Sequence, residues 1–145
     1  MYHIPLYKLS LVRDNTIKAD RKVVNACHDV YPILRDYYDR HDREEMLVVL
    51  LDAKHKIIGI NSVSVGSVTM SLVHPRETFK AAIISNCVAI ILAHNHPSGD
   101  PTPSQEDHQL TKRLKECGEM IGIPVLDHLV IGDGTYYSFA ERGTL

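Results

Sequence analysis

His94 and His96 stand two positions apart, just past the apolar run VAIILA (residues 88–93). In extended backbone, residues two apart project to the same side, so this pair can bring two imidazoles to one ion. With nine histidines in the chain, about half an H-x-H pair is expected by chance, so the spacing alone says little. Ser104 follows His96 by eight positions and Asp107 comes three later. Requiring those residue types at those places cuts the chance expectation to roughly three in a thousand. Two neutral histidines and one carboxylate make a three-ligand set suited to zinc, with the fourth tetrahedral position left to water. Such an ion lowers the pKa of bound water to about 7, which supplies a nucleophile at neutral pH, and it also polarises a carbonyl. A base must take the proton. The acids outside the loop that qualify are Glu44 and Glu45, ahead of the run MLVVLL, and Glu77 in HPRE.

Elements must hold these groups in place. VAIILA is apolar at every position and of strand length, which suits a strand covered on both faces. It runs into HNHPSGDPTPSQED, where three prolines and a glycine forbid regular structure, and a helix is expected from about Gln105 to Cys117. MLVVLL reads as a second fully covered strand closing at Asp52, with Asp52 to Lys56 as a hairpin turn. Ile57 to Val65 and Ser67 to Leu72 alternate as further strands, Gly59 and Gly66 marking a bulge or a turn. Pro75 opens a helix through about Ser85. Upstream, Val23, Val24, Cys27, Val30, Tyr31, Leu34 and Tyr38 share one helical stripe, with Asp20 as N-cap and Pro32 as a kink. Pro124 to Ile131 and Thr135 to Phe139 form a terminal hairpin around Gly132-Asp133-Gly134. Strands and helices interleave, so the expected class is α/β with a mixed β-sheet flanked by helices. Residues 1–19 read as a loose N-terminal arm and 20–145 as one domain.

A glutamate ahead of an apolar strand, then H-x-H, seven residues, serine, two residues and aspartate, resembles the JAMM (JAB/MPN) metalloprotease signature. More closely, HPRETFKAAI, VAIILAHNHPSGDPTPSQED, VLDHLVIGDG and YYSFAERG resemble the RadC family. The resemblance runs from about residue 20 to the C-terminus. It implies a JAB/MPN (cytidine-deaminase-like) architecture in which His94, His96 and Asp107 bind one zinc ion per chain. It further implies that a glutamate holds the water and shuttles its proton, and that Ser104 stabilises the oxyanion of a tetrahedral intermediate. The family position falls eight residues before the aspartate of the Leu-Asp pair, which selects Glu44, and Glu45 would face the other way in extended backbone. Asn95 replaces the serine or threonine frequent in the proteases, as RadC-like chains generally do. The implied substrate is a peptide or another amide-containing compound.

RadC proteins usually carry a helix-hairpin-helix module that binds DNA, and such hairpins need glycines, whereas the first glycine here is Gly59. With 16 basic against 18 acidic side chains and a net charge of -2, no strong basic field is expected, so direct DNA binding is not. The rival reading is a DNA repair or recombination accessory protein with a structural or vestigial metal site. Length, 44% hydrophobic content and 23% charge describe one ordinary domain, too short for two. Cys27, Cys87 and Cys117 are odd in number and scattered, which suits a reducing, cytoplasmic setting. No apolar stretch reaches membrane-spanning length and the N-terminus has no leader pattern, so neither export nor anchoring is expected.

Plainer roles compete at several positions. Ser104 and Asp107 also fit a helix capping box, which alone would be the better account. His128, beside Asp127, reads as a buried, hydrogen-bonded structural histidine in preference to a further ligand or orienter. Glu77 suits the first turn of a helix, favoured by the helix dipole.

Overall fold

The two runs that are apolar at every position become neighbouring strands at the centre of the sheet. The computed structural model describes residues 1–69 and 72–145. Among these the elements are α1 (Cys27–Tyr38), β1 (Glu44–Leu51), β2 (Ile57–Gly66), α2 (Pro75–Ile84), β3 (Ala89–Asn95), α3 (Gln105–Ile121), β4 (Val125–Ile131) and β5 (Tyr136–Ser138). The strand order is β2-β1-β3-β4-β5. β1 pairs antiparallel with both β2 and β3, β3 pairs parallel with β4, and β4 pairs antiparallel with β5, so the sheet is mixed. Each strand pair supplies the ladder bonds that two buried strands require.

Alternation divides the core. Met46, Val48, Leu50, Ile90 and Leu92 pack with Phe79 of α2 and Leu110 and Leu114 of α3. Leu47, Val49, Leu51, Ile91 and Ala93 pack with Val30, Leu34 and Tyr38 of α1. The period-2 rule therefore puts Glu44 and His94 on the α2/α3 face and Glu45 and Asn95 on the α1 face.

Three elements differ from their sequence reading. α1 begins at Cys27 and not near Asp20. The Asp29 carboxylate accepts the Asn25 and Ala26 N–H groups at 2.9 and 3.4 Å and so closes the first turn there. Upstream, the backbone runs beside the start of β2, with Ile57 N–H donating to Lys22 O at 2.7 Å and Val24 N–H to His55 O at 2.9 Å. Residues 1–22 form no helix or strand.

The second difference is at Ser67 to Leu72. Ser67, Val68 and Thr69 are not in a strand, and Met70 and Ser71 lie outside the described residues. β2 stops at Gly66, whose φ is 112°, and the next available N–H, that of Val68, is taken by the Glu44 carboxylate at 3.0 Å. Finally, α3 runs past Cys117 to Ile121 and ends on the left-handed C-cap Gly122. Gly118 lies inside this last stretch, where a side chain would collide with the Ile123 carbonyl, so glycine is required although it is a poor helix former.

β4 carries a bulge that matters for the site. Ile90 pairs with Val125 but Ile91 pairs with Asp127, so Leu126 is an extra residue. Val125 and His128 consequently share the α2/α3 face, while Leu126 and Leu129 face α1.

Candidate metal centre

β3 delivers the histidines from its C-terminal end. His94 is wholly buried, and its Nε2 lies 3.1 Å from His96 Nε2. The His96 ring sits just past the strand and is held by its Nδ1–H, which donates to Asp100 O at 2.8 Å. A carbonyl only accepts, so a neutral His96 carries its lone pair on Nε2, toward the cluster. The loop that supplies Asp100 is pressed against the β4–β5 turn, with Asp133 N–H donating to Gly99 O at 2.8 Å. Only glycine fits at Gly132, since a Cβ there would meet the Gly99 carbonyl and Pro101.

The first turn of α3 delivers the carboxylate. Asp107 is 3% exposed, with Oδ1 3.3 Å from His94 Nε2 and Oδ2 3.3 Å from His96 Nε2. Its orientation comes from the capping box: Ser104 N–H donates to Asp107 Oδ2 at 2.8 Å, and Asp107 N–H donates to Ser104 Oγ at 3.1 Å. Burial works against its ionisation. The His94 and His96 rings beside it outweigh that and hold the carboxyl well below the usual carboxylate range. The same contact raises the pKa of His96, against a smaller opposing effect of burial, with the Glu44 charge adding a little.

His94, His96 and Asp107 offer three donor atoms within 4.8 Å of one another and could hold a metal ion. A tetrahedral ion with ligands at about 2.0–2.1 Å separates neighbouring donors by about 3.3–3.4 Å. The three separations here are 3.1, 3.3 and 3.3 Å, so the donor set fits such an ion without rearrangement.

Glu44 and Ser104 line the cleft over this cluster, about 340 Å³ in volume, together with His96 and Asp107. Glu44 is half-buried, and its Oε2 accepts the Val68 N–H. Ser104 is exposed at the rim, and because its oxygen accepts from Asp107 its own proton is free to point into the cleft. Glu45 lies on the opposite face, where its carboxylate accepts from Tyr37 Oη at 2.8 Å and Ser62 Oγ at 2.7 Å and sits 3.3 Å from His41 Nε2. Glu77 is on the surface of α2, paired with Lys80 at 2.8 Å.

The contacts of Asn95 lay beyond the sequence reading, and His128 is the buried, hydrogen-bonded histidine expected, with a partner the sequence did not name. Asn95, also on the α1 face, brackets Glu44: its Oδ1 accepts the Glu45 N–H at 2.8 Å and its Nδ2 donates to Arg43 O at 3.0 Å. His128 is wholly buried between His94 and Phe139, its Nε2 2.8 Å from His94 Nδ1 and its ring stacked on Phe139 at 5.0 Å. Burial, reinforced by neighbouring His94, pushes the His128 pKa well below the usual imidazole range. The only sequence signal for Asn95 was its place between two ligands.

A mixed sheet with helices on both faces, carrying two strand-end histidines and a helix-start aspartate on one side, defines an α/β protein of the JAB/MPN type. The profile of the RadC-like JAB domain matches residues 24–144, and the chain belongs to that family. It is 53% identical over 125 residues to a UPF0758 protein of Desulfitobacterium hafniense and 54% identical over 125 residues to one of Moorella thermoacetica, in each case covering 86% of this chain and 55% of the relative. A UPF0758 protein of Symbiobacterium thermophilum is 60% identical over 102 residues, 70% of this chain and 44% of that protein. The chain thus spans about half the length of the curated relatives it matches. JAB domains include metallohydrolases. Among the described residues, no helix is long and apolar enough to cross a membrane.

Proposed function

We propose that this chain is a zinc-dependent hydrolase of the JAMM type that cleaves an amide or related acyl bond, acting on a peptide or another amide-containing compound. The observation that carries this reading is the spacing of the His94, His96 and Asp107 donors, which suits one zinc ion and faces an open cleft. Zinc bound there would supply Lewis acidity toward an acyl oxygen and activation of water at neutral pH.

The chain's own residues supply the rest. His94 and His96 each offer Nε2, and Asp107 offers its carboxylate. Glu44 projects into the cleft from the first residue of β1, where it can take a proton from water and return it to the leaving nitrogen. Ser104 can donate its hydroxyl proton to an oxygen that gains negative charge, an interaction absent from the ground state. Three unpaired cysteines support a reducing, cytoplasmic setting.

The test has two parts. Purified protein is expected to carry close to one zinc per chain, with His96→Ala losing it, as read by elemental analysis. In a screen of peptide and isopeptide substrates, Glu44→Gln should keep the zinc and lose about 10²–10⁴-fold in turnover. A metal-free preparation that resists reconstitution would count decisively against the hydrolase.

A further inference from the structure

Beneath the metal centre, four buried groups touch in sequence. Thr111 Oγ1 lies 2.7 Å from Asp107 O and 2.6 Å from His128 Nδ1. His128 Nε2 lies 2.8 Å from His94 Nδ1. Thr111 is 1% exposed, and His94 and His128 are 0% exposed, so solvent offers none of them an alternative partner.

Counting protons along this chain leaves one arrangement. A backbone carbonyl only accepts, so the single hydroxyl proton of Thr111 must go to Asp107 O. Thr111 Oγ1 is then an acceptor toward His128, and the His128 proton must sit on Nδ1. A buried imidazole with no carboxylate against it is neutral, which makes His128 Nε2 an acceptor. His94 must therefore donate from Nδ1, and its remaining nitrogen, Nε2, carries the lone pair that faces His96 and Asp107. The opposite tautomer of His94 would set two lone pairs against each other at 2.8 Å within the buried relay, whereas the lone pairs that the assigned tautomer brings together at 3.1 Å, on His94 and His96, are the ones a cation would bridge.

We propose that Thr111 and His128 are positioning residues that fix the tautomer and ring angle of His94 and thereby preload the centre for zinc. The relay ends on the backbone of Asp107, so two of the three ligands are tied together below the site. Its acceptor for the ligand histidine is a neutral ring, where a carboxylate or a carbonyl is the more common partner. The bulge at Leu126 is what turns His128 toward His94. The part concerning zinc rests on the hydrolase reading above, while the tautomer assignment follows from geometry alone.

The experiment uses the full chain with ¹⁵N-labelled histidine. Long-range proton–nitrogen NMR of the metal-free protein at pH 8 is expected to show both His94 and His128 protonated on Nδ1. Zinc affinity is then measured by competition with a chromogenic chelator. Thr111→Val should weaken zinc binding about ten- to a hundredfold and scramble the His128 signal, and Thr111→Ser should restore both. His128→Phe, which keeps a ring against Phe139, should weaken zinc comparably with the metal-free circular dichroism unchanged. A wild-type His94 protonated on Nε2, or Thr111→Val and His128→Phe binding zinc within twofold of wild type, would overturn the relay. Wild-type protein that binds no zinc yet shows both Nδ1 protons would refute the zinc reading and leave the tautomer assignment standing.

Discussion

Asn95→Ala isolates how Glu44 is held. The Asn95 side chain is 4% exposed and makes two hydrogen bonds, one from the Glu45 N–H at 2.8 Å and one to Arg43 O at 3.0 Å. Glu45 is opposite Asn95, one step beyond the last β1–β3 pair, Met46 with His94, so the side chain replaces a ladder bond that the backbone no longer makes. Truncation leaves a buried N–H without a partner, at a cost of about 1–3 kcal/mol. Arg43 O is nearer to solvent and its lost bond adds about 0.5–1.5 kcal/mol. Together they come to about 1.5–4.5 kcal/mol, which for a domain of this size lowers the thermal midpoint by about 5–16 °C. Circular dichroism melting of the metal-free protein reads the midpoint, and hydrogen exchange at the Glu45 amide should accelerate. Because Asn95 points to the α1 face, zinc affinity should stay within about threefold, well short of the loss expected from removing a ligand. A midpoint within about 2 °C of wild type, corresponding to less than ~1 kcal/mol, would refute the clamp.

Removing metal with a chelator should lower the midpoint of wild-type protein. At zinc a hundredfold above its dissociation constant the linkage is about 2.7 kcal/mol, and Asp107→Asn should abolish the difference. Tyr37, whose pKa is pushed up to about 12 by burial and by its hydrogen bond to Glu45, gives an alkaline signature. Between pH 10 and 12 the unfolded chain has released this proton and the folded one has not, so stability falls as pH rises through that window. The group is largely solvent-screened, so the loss should be about 1 kcal/mol or less, and urea midpoints of Tyr37→Phe should lack it. Gly132→Val would drive a side chain into Gly99 and Pro101, costing about 1–3 kcal/mol by overpacking. It should also weaken zinc binding, since Asp100 O, which orients His96, rides on that loop. Unchanged affinity and melting would show the close approach to be dispensable.

How far the sequence reached depended on whether a residue's role is local. β1 and β3 were legible because burial on both faces demands an apolar residue at every position, and alternation put Glu44 and Glu45 on opposite faces, while which of the two faces the cleft came from the family resemblance alone. The start of α1 was not legible. Val23 and Val24 keep the helical period by coincidence, and what they obey is pairing with the edge at His55 and Lys56, 31 residues or more away. The burial of His128 was legible, but its contact with His94 was obscured for a related reason. Plain alternation from Val125 puts it on the α1 face, and the one-residue bulge that reverses this has no marker such as glycine in VLDHLVI. Asn95 was read as a substitution between two ligands, because its partners, Arg43 and Glu45, are far away in sequence.

The capping box and a metal site were competing explanations of Ser104 and Asp107 in sequence, and in space the box and the candidate ligand set share the same carboxylate. Asp107 Oδ2 accepts the Ser104 N–H while facing His96, so the bond that starts α3 also sets the carboxylate toward the ligands. Ser104 Oγ, by accepting from Asp107 N–H, both satisfies a helix-start donor and leaves its proton available to the cleft. A longer acid at position 107 could still close the box, where glutamate is the usual residue, but its oxygens would be displaced from the positions about 3.3 Å from His94 and His96 that Asp107 holds. An asparagine could still accept the N–H and close the box, yet would bring no negative charge to a cation. The helix start thus tolerates several side chains at this position, whereas a cation held by His94 and His96 would ask for both the length and the charge of aspartate.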